Sequence, residues 1–344
     1  MHTRHTRKTW VFVAGFATLA MVVTACAGGD GDGGGSGATS GLTGTITISG
    51  SSTVQPISAL VAELFNETNP DVAISVDGPG TGDGFALFCA GETDISDASR
   101  PIDPEEADAC STGGVEYVEL EVGFDGITVM TNPANPVECL TTGDLYALFG
   151  PESEGFASWA DANALAGEVG GTGGFADQPL QITAPGQESG TYDAFIELSG
   201  IPDLAAERGV PEDEAEALRK DYQASPNDNV IIQAIEGSPS ALGFVGYAYA
   251  EEAGEGVKEV AVDAGSGCVA PGKDTIADAS YPLSRSLYIY VNSARVAESP
   301  ALVAFVDTYL SDVGLSEVVT EVGYVPLPAD RIEVARSAWE GVPA

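Results

Sequence analysis

The sequence predicts an α/β protein, and three observations carry that prediction. Short β-like runs alternate with helix-like runs along most of the chain. A strand end followed by a glycine- and hydroxyl-rich turn recurs at Gly50-Ser51-Ser52-Thr53, at Gly80-Thr81-Gly82-Asp83-Gly84 and at Ser189-Gly190-Thr191. Roughly 300 residues remain once the N-terminal segment is set aside, enough for two domains with real cores.

Residues 1–25 stand outside the fold. His2, Arg4, Arg7 and Lys8 make a basic start, and Val11 to Val23 make an apolar run too short for a comfortable membrane span. Val23-Thr24-Ala25-Cys26 resembles the lipobox of bacterial lipoproteins, which implies that Cys26 carries lipid after cleavage. Residues 26–43, nearly all Gly, Asp, Ser, Ala and Thr at their core, read as a flexible tether.

The charge balance excludes one class of partner. Fifty-two acidic residues against 13 basic give a formal net charge of -39, so nucleic acid is not expected to bind. An anion site in such a chain must win locally, which makes the scarce cations Arg100, Arg219 and Arg285 worth attention. His2 and His5 are the histidines of the whole sequence, both in the N-terminal segment, which argues against a His-based triad and against a His-containing metal site. Apart from Cys26, the cysteines are Cys89, Cys110, Cys139 and Cys268, which allow three pairings. Cys89–Cys110 and Cys139–Cys268 are favoured because each closes a segment inside one expected lobe, and an oxidising exterior suits disulfides better than a metal.

In chain order, Gly44 to Gly50 alternates as a strand, and Pro56 opens a helix over Ile57 to Asn66 with Leu60, Val61, Leu64 and Phe65 on one face. Asp71 to Val76 is a second strand. Gly78, Gly80, Gly82 and Gly84 then predict a backbone loop that something approaches closely, ahead of a helix from Phe85 to Ala90. Ser99-Arg100-Pro101 ends the next strand. Val129-Met130-Thr131 ends another, and Gly143 to Phe149 reads as a helix capped by Thr142. Leu180 to Thr183 leads into the helix Tyr192 to Leu198, with Ser189 or Thr191 as cap. Ala205 to Tyr222 reads as one helical stretch, and Asp228 and Asn229 as caps of the helix Ile231 to Glu236. Leu283 to Val291 is a long strand in which Arg285 reads as an interlobe or surface contact. Ser299 to Leu310 and Ala329 to Trp339 are closing helices, with Leu302, Phe305, Val306 and Tyr309 as core.

The repeated turns suit a small oxyanion. A helix start offers unpaired N–H groups and positive partial charge, glycine lets a ligand reach the backbone, and the flanking hydroxyls add donors.

Together these motifs resemble the phosphate-binding lipoproteins of bacterial ABC importers, the PstS type. The resemblance rests on Gly50-Ser51-Ser52-Thr53, on Gly80 to Gly84, on Asp94-Ile95-Ser96-Asp97-Ala98-Ser99-Arg100-Pro101 and on Ser189-Gly190-Thr191. It also rests on Ala241 to Tyr249 and on Gly323-Tyr324-Val325-Pro326-Leu327-Pro328. It implies a two-lobed periplasmic-binding-protein fold of type II, each lobe a mixed sheet flanked by helices, joined by two hinge strands. Lobe I would be residues 44–130 plus 288–344, and lobe II residues 131–287.

By the same resemblance, Ser52, Thr53, Thr81, Asp83, Ser99, Arg100, Ser189, Gly190 and Thr191 would hold phosphate, with Asp97, Arg219 and Asp228 as further candidates. Many relatives carry Arg where Pro185 stands and Asp where Arg100 stands, so Arg100 is expected to supply the cation. A carboxylate (Asp83, Asp97 or Asp228) would accept the proton of HPO₄²⁻ and repel proton-free sulfate. The implied function is high-affinity phosphate binding outside the cytoplasmic membrane and delivery to an ABC permease. The protein would be lipid-anchored, not an enzyme, and without cofactor or metal. The alternatives are a binding protein for another oxyanion, such as sulfate or molybdate, and a phosphatase on the same fold.

Overall fold

A single long strand, Tyr117–Thr131, runs through the middle of the molecule and serves two halves of one sheet. The computed structural model describes residues 41–342, which lie in one compact unit. The expected signal segment, Cys26 and most of the expected tether lie outside the described residues.

The strands are β1 Gly44–Gly50, β2 Val72–Asp77, β3 Ile95–Ala98, β4 Tyr117–Thr131, β5 Cys139–Thr141 and β6 Gln181–Ala184. They continue with β7 Gln223–Ala224, β8 Ala241–Gly246, β9 Lys258–Glu259, β10 Ala261–Asp263 and β11 Ser284–Asn292. Among the described residues nine strands form one mixed sheet in the order β2-β1-β3-β11-β4-β8-β6-β7, with β9 also on β4; β10 and β5 pair separately. β1 runs parallel to β2 and β3, whereas β11 runs antiparallel to both β3 and β4. β4 pairs with β11 as far as Gly126 and with β8 from Ile127 onward.

Two main cores lie on this frame. One gathers Ile48, Val61, Phe65, Leu120, Val122, Leu287, Phe305 and Tyr309. The other gathers Phe124, Ile127, Trp159, Phe195, Phe244 and Leu283. The change from one core to the other therefore falls between Val122 and Phe124 on β4 and between Leu283, just ahead of β11, and Leu287 on it. Each large side chain buried in these cores adds about 1.5–3 kcal/mol of transfer free energy. Leu302, Phe305, Val306 and Tyr309 are buried as expected.

Several local expectations need correction. The helix expected from Phe85 begins at Thr81, so the glycine loop is largely the helix's first turn. A Cβ on Gly84 would stand 2.3 Å from Gly50 Cα, so the chain's own β1 end makes the close approach there. Gly80, with φ of 117°, turns the chain into this helix in a conformation that side chains rarely adopt. The cap of the helix Thr142–Phe149 is Thr141, which accepts from Asp144 N. The stretch expected as one helix over Ala205 to Tyr222 is split into Ile201–Glu207 and Glu212–Ala215, because Gly209 and Pro211 interrupt it. Both favoured disulfides are formed, Cys89–Cys110 and Cys139–Cys268. Among the described residues no helix is long and apolar enough to cross a membrane.

Candidate functional site

The ends of β1 and β3 and the first turn of the helix Thr81–Cys89 are locked together by backbone contacts. Ser51 N donates to Asp97 O at 2.8 Å, and Gly80 N donates to Gly50 O at 2.9 Å. Ser99 N donates to Thr81 Oγ1 at 3.2 Å, and the Ser99 and Thr81 hydroxyls share a hydrogen bond of 3.0 Å. Ser51 Oγ accepts from Thr53 N, which shapes the turn before the helix Gln55–Asn66. These are carboxyl ends of parallel strands, where α/β sheets gather their ligand sites.

The Ser-Gly-Thr turn meets this edge from the other half of the chain. Ser189 caps the helix Gly190–Ser199 by accepting from Thr191 N at 3.2 Å, which settles the choice between Ser189 and Thr191. A Cβ on Gly190 would stand 3.7 Å from Ser52 O and 3.9 Å from Thr53 Cα, so its backbone lies against the first turn. One helical turn on, Asp193 accepts from Ser52 Oγ at 3.4 Å. Burial raises the Asp193 carboxyl above its ordinary range, and Glu197 adds to the rise.

Between these elements is a cavity of about 490 Å³ lined by Thr81, Gly82, Ser99, Arg100, Glu197, Leu198 and Arg285. Two guanidiniums thus face it. Arg100 Nη1 and Nη2 each donate to Glu106 at 2.8 Å, Asp103 stands 3.1 Å away, and Phe85 lies under the guanidinium. Hydrogen bonding to Glu106 holds Arg100 above its ordinary pKa. Burial alone would raise the Glu106 carboxyl, but the bonds from Arg100 and from Asp103 N together with the Arg100 charge leave Glu106 below its usual range.

Arg285, expected as an interlobe or surface contact, bridges residues from three distant segments. Its side chain is 9% exposed, hence no surface contact. Nη2 donates to Thr53 Oγ1 at 2.8 Å, Nε donates to Asp125 at 3.3 Å, and Nη1 donates to Glu197. Asp125 sits directly opposite Arg285 in the β4–β11 ladder, where the two cores change over. Burial raises the Asp125 carboxyl above its usual range against the pull of Arg285. A signal was present in the sequence. Strand period places Arg285 on the same face as Leu283, Leu287, Ile289 and Val291, and a lone charge on an apolar face calls for a purpose.

Of the expected residues, Thr81, Ser99 and Arg100 line this cavity; Ser52, Thr53, Ser189, Gly190 and Thr191 form the adjoining turns, and the others lie apart from it. Asp83 is exposed in the first helical turn after Gly80. Asp97 is buried and turned the other way: Oδ1 accepts from Ser58 Oγ at 2.8 Å, and Ser58 in turn meets the Tyr309 hydroxyl at 3.0 Å. Burial pushes the Asp97 carboxyl up to about 7. Arg219 is buried against Asp221 at 2.6 Å and Phe156 O at 2.9 Å, with no partner for Nη1 among the described residues. Asp228 is the first residue of the helix Asp228–Glu236, and Asn227, not Asp228 or Asn229, is its cap. Burial raises the Asp228 carboxyl.

Comparison with known proteins places the chain in a family. Residues 35–313 match the PBP_like_2 family, described as the PBP superfamily domain. Protein SphX of Synechocystis is 38% identical over 298 residues, covering 86% of this chain and 82% of that protein. The phosphate-binding protein PstS of Staphylococcus haemolyticus is 33% identical, covering 93% of both. A crystal structure of a possible phosphate binding protein from Planctomyces limnophilus superposes with a TM-score of 0.78 at 36% identity, covering 88% of this chain and 100% of that one. The two cores on one mixed sheet are thus the periplasmic-binding-protein fold, and the chain belongs to the PBP superfamily, within the family of PstS-type phosphate-binding proteins.

Proposed function

We propose that the protein binds inorganic phosphate in the cavity between Thr81, Ser99, Arg100 and Arg285 and passes it to an ABC permease outside the cytoplasmic membrane. The observation that carries this reading is the pair of guanidiniums facing one cavity beside hydroxyls and a helix start, in a chain of net charge -39. Thr53, Thr81, Ser99 and the Ser189-Gly190-Thr191 turn supply neutral donors, and Arg100 and Arg285 supply charge. Asp193, hydrogen-bonded to Ser52, suits the role of proton acceptor better than Asp83 or Asp97. Micromolar affinity needs only about 8 kcal/mol, within reach of a few charge-assisted hydrogen bonds.

The lobes would be the bodies around the two cores, hinged on β4 and β11 near Asp125 and Arg285, and closing about the anion. The relatives' names and the site favour binding over catalysis. Thr53 faces a cation that cannot accept a proton, and Ser189 is engaged as a cap. Cys26 would carry the lipid, so Cys26→Ala should release soluble protein that still binds phosphate.

Calorimetry against phosphate, arsenate, sulfate and molybdate tests the reading. Phosphate should bind, and arsenate, which keeps a proton, should compete while sulfate does not. Preferential binding of sulfate or molybdate would overturn it.

A further inference from the structure

We infer that Glu197 is an internal competitor for the anion: its carboxylate occupies Arg285 until the ligand displaces it. This rests on the oxyanion reading of the cavity and adds a step to it. Each of the three guanidinium nitrogens of Arg285 has a partner, Nε in Asp125, Nη2 in Thr53 and Nη1 in Glu197, bonds that use three of its five N–H groups. An oxyanion received in the cavity at the Nη1 edge of this guanidinium would meet the Glu197 carboxylate there, a like charge that has to move aside.

The partners differ in what their release costs. Asp125 has a side chain 2% exposed and fixed opposite Arg285 in the sheet, so freeing it would strand a buried charge. Thr53 is a neutral hydroxyl, 2% exposed, and can stay as a second donor to the anion. Glu197 lies on the last turns of the helix Gly190–Ser199 with its side chain 59% exposed, and can swing into water with its charge solvated. It also lines the cavity together with Thr81, Ser99 and Arg100, so its carboxylate stands where an anion's oxygens would be received. The displaceable partner is therefore Glu197. The apparent affinity is the intrinsic affinity reduced by the fraction of protein in which Arg285 is free.

Phosphate binding by Glu197→Gln and Glu197→Asp, measured by calorimetry beside the wild type with thermal unfolding as a check on folding, tests the inference. Gln removes the charge, while Asp keeps the charge but retracts it by one methylene from Arg285. Both variants should bind phosphate about 3- to 10-fold more tightly than the wild type. If Gln tightens binding and Asp matches the wild type, Glu197 acts only by long-range repulsion and the inference is overturned. Weaker binding by both would make Glu197 a ligand contact and would also overturn it. A wild-type protein that binds no oxyanion would instead refute the functional reading, and this inference with it.

Discussion

Arg285 Nη2 donates to Thr53 Oγ1 at 2.8 Å, a bond between residues 232 positions apart in the chain. It ties the strand that crosses between the two cores to the turn at the end of β1. Any movement of one core relative to the other about β4 and β11 would pivot close to this bond. The cation, the turn that would receive the anion and the crossing strands thus form one connected unit.

The two cavity arginines should therefore differ in weight. Arg285→Ala is expected to weaken phosphate binding by about 3–5 kcal/mol, since it removes a desolvated cation and leaves Asp125 unpaired. Arg100 is 39% exposed on its side chain and partly neutralised by Glu106 and Asp103. Arg100→Ala should cost only about 1–2 kcal/mol, because solvent screens it. Arg219→Ala should lower the unfolding temperature and leave phosphate affinity unchanged. Calorimetry on the three variants checks the order; a larger loss for Arg100→Ala than for Arg285→Ala would reverse it.

Asp97 makes stability depend on pH in a definite direction. Its carboxyl is raised from 3.8 to about 7 by burial, so the folded state holds the proton more tightly than the unfolded chain. The stability from protonated Asp97 is complete below about pH 4 and is lost as pH rises through 7. Asp97→Asn keeps a neutral side chain there at every pH. Relative to the wild type, the variant should gain roughly 3–5 kcal/mol between pH 4 and pH 8, measured by denaturant unfolding. Parallel profiles for the two proteins would show that Asp97 is ionised in the fold throughout.

The two disulfides should separate in both energy and accessibility. Cys89–Cys110 spans 21 positions and Cys139–Cys268 spans 129. Chain entropy alone puts the loss on removing them at about 3 and about 5 kcal/mol respectively. Cys89 and Cys110 are 5% and 0% exposed, whereas Cys268 lies in an exposed turn. Mild reductant should open Cys139–Cys268 first, followed by alkylation and peptide mapping. Alkylation of Cys89 and Cys110 before the other pair would contradict this order.

What the sequence determined by itself was local. The alternation of Thr45-Ile46-Thr47-Ile48 specifies β1, Pro56 stands in the first turn of its helix, and Ser189 caps the helix that follows the Ser-Gly-Thr turn. These features follow from period, fixed proline φ and cap chemistry, each of which acts over a few residues. The motif order was also enough to show the family. What only the tertiary structure decided was the partner of each charge. Arg100 and Arg285 are both arginines near strand ends or in strands, and nothing local tells that Arg285 meets Thr53, Asp125 and Glu197 from three distant segments. Nor does local sequence tell that Asp97 faces Ser58 and Tyr309 while Asp193 faces Ser52. A buried charge is placed by the sum of desolvation and its partners' positions. Those positions exist only once β4 and β11 have brought distant turns to one edge of the sheet.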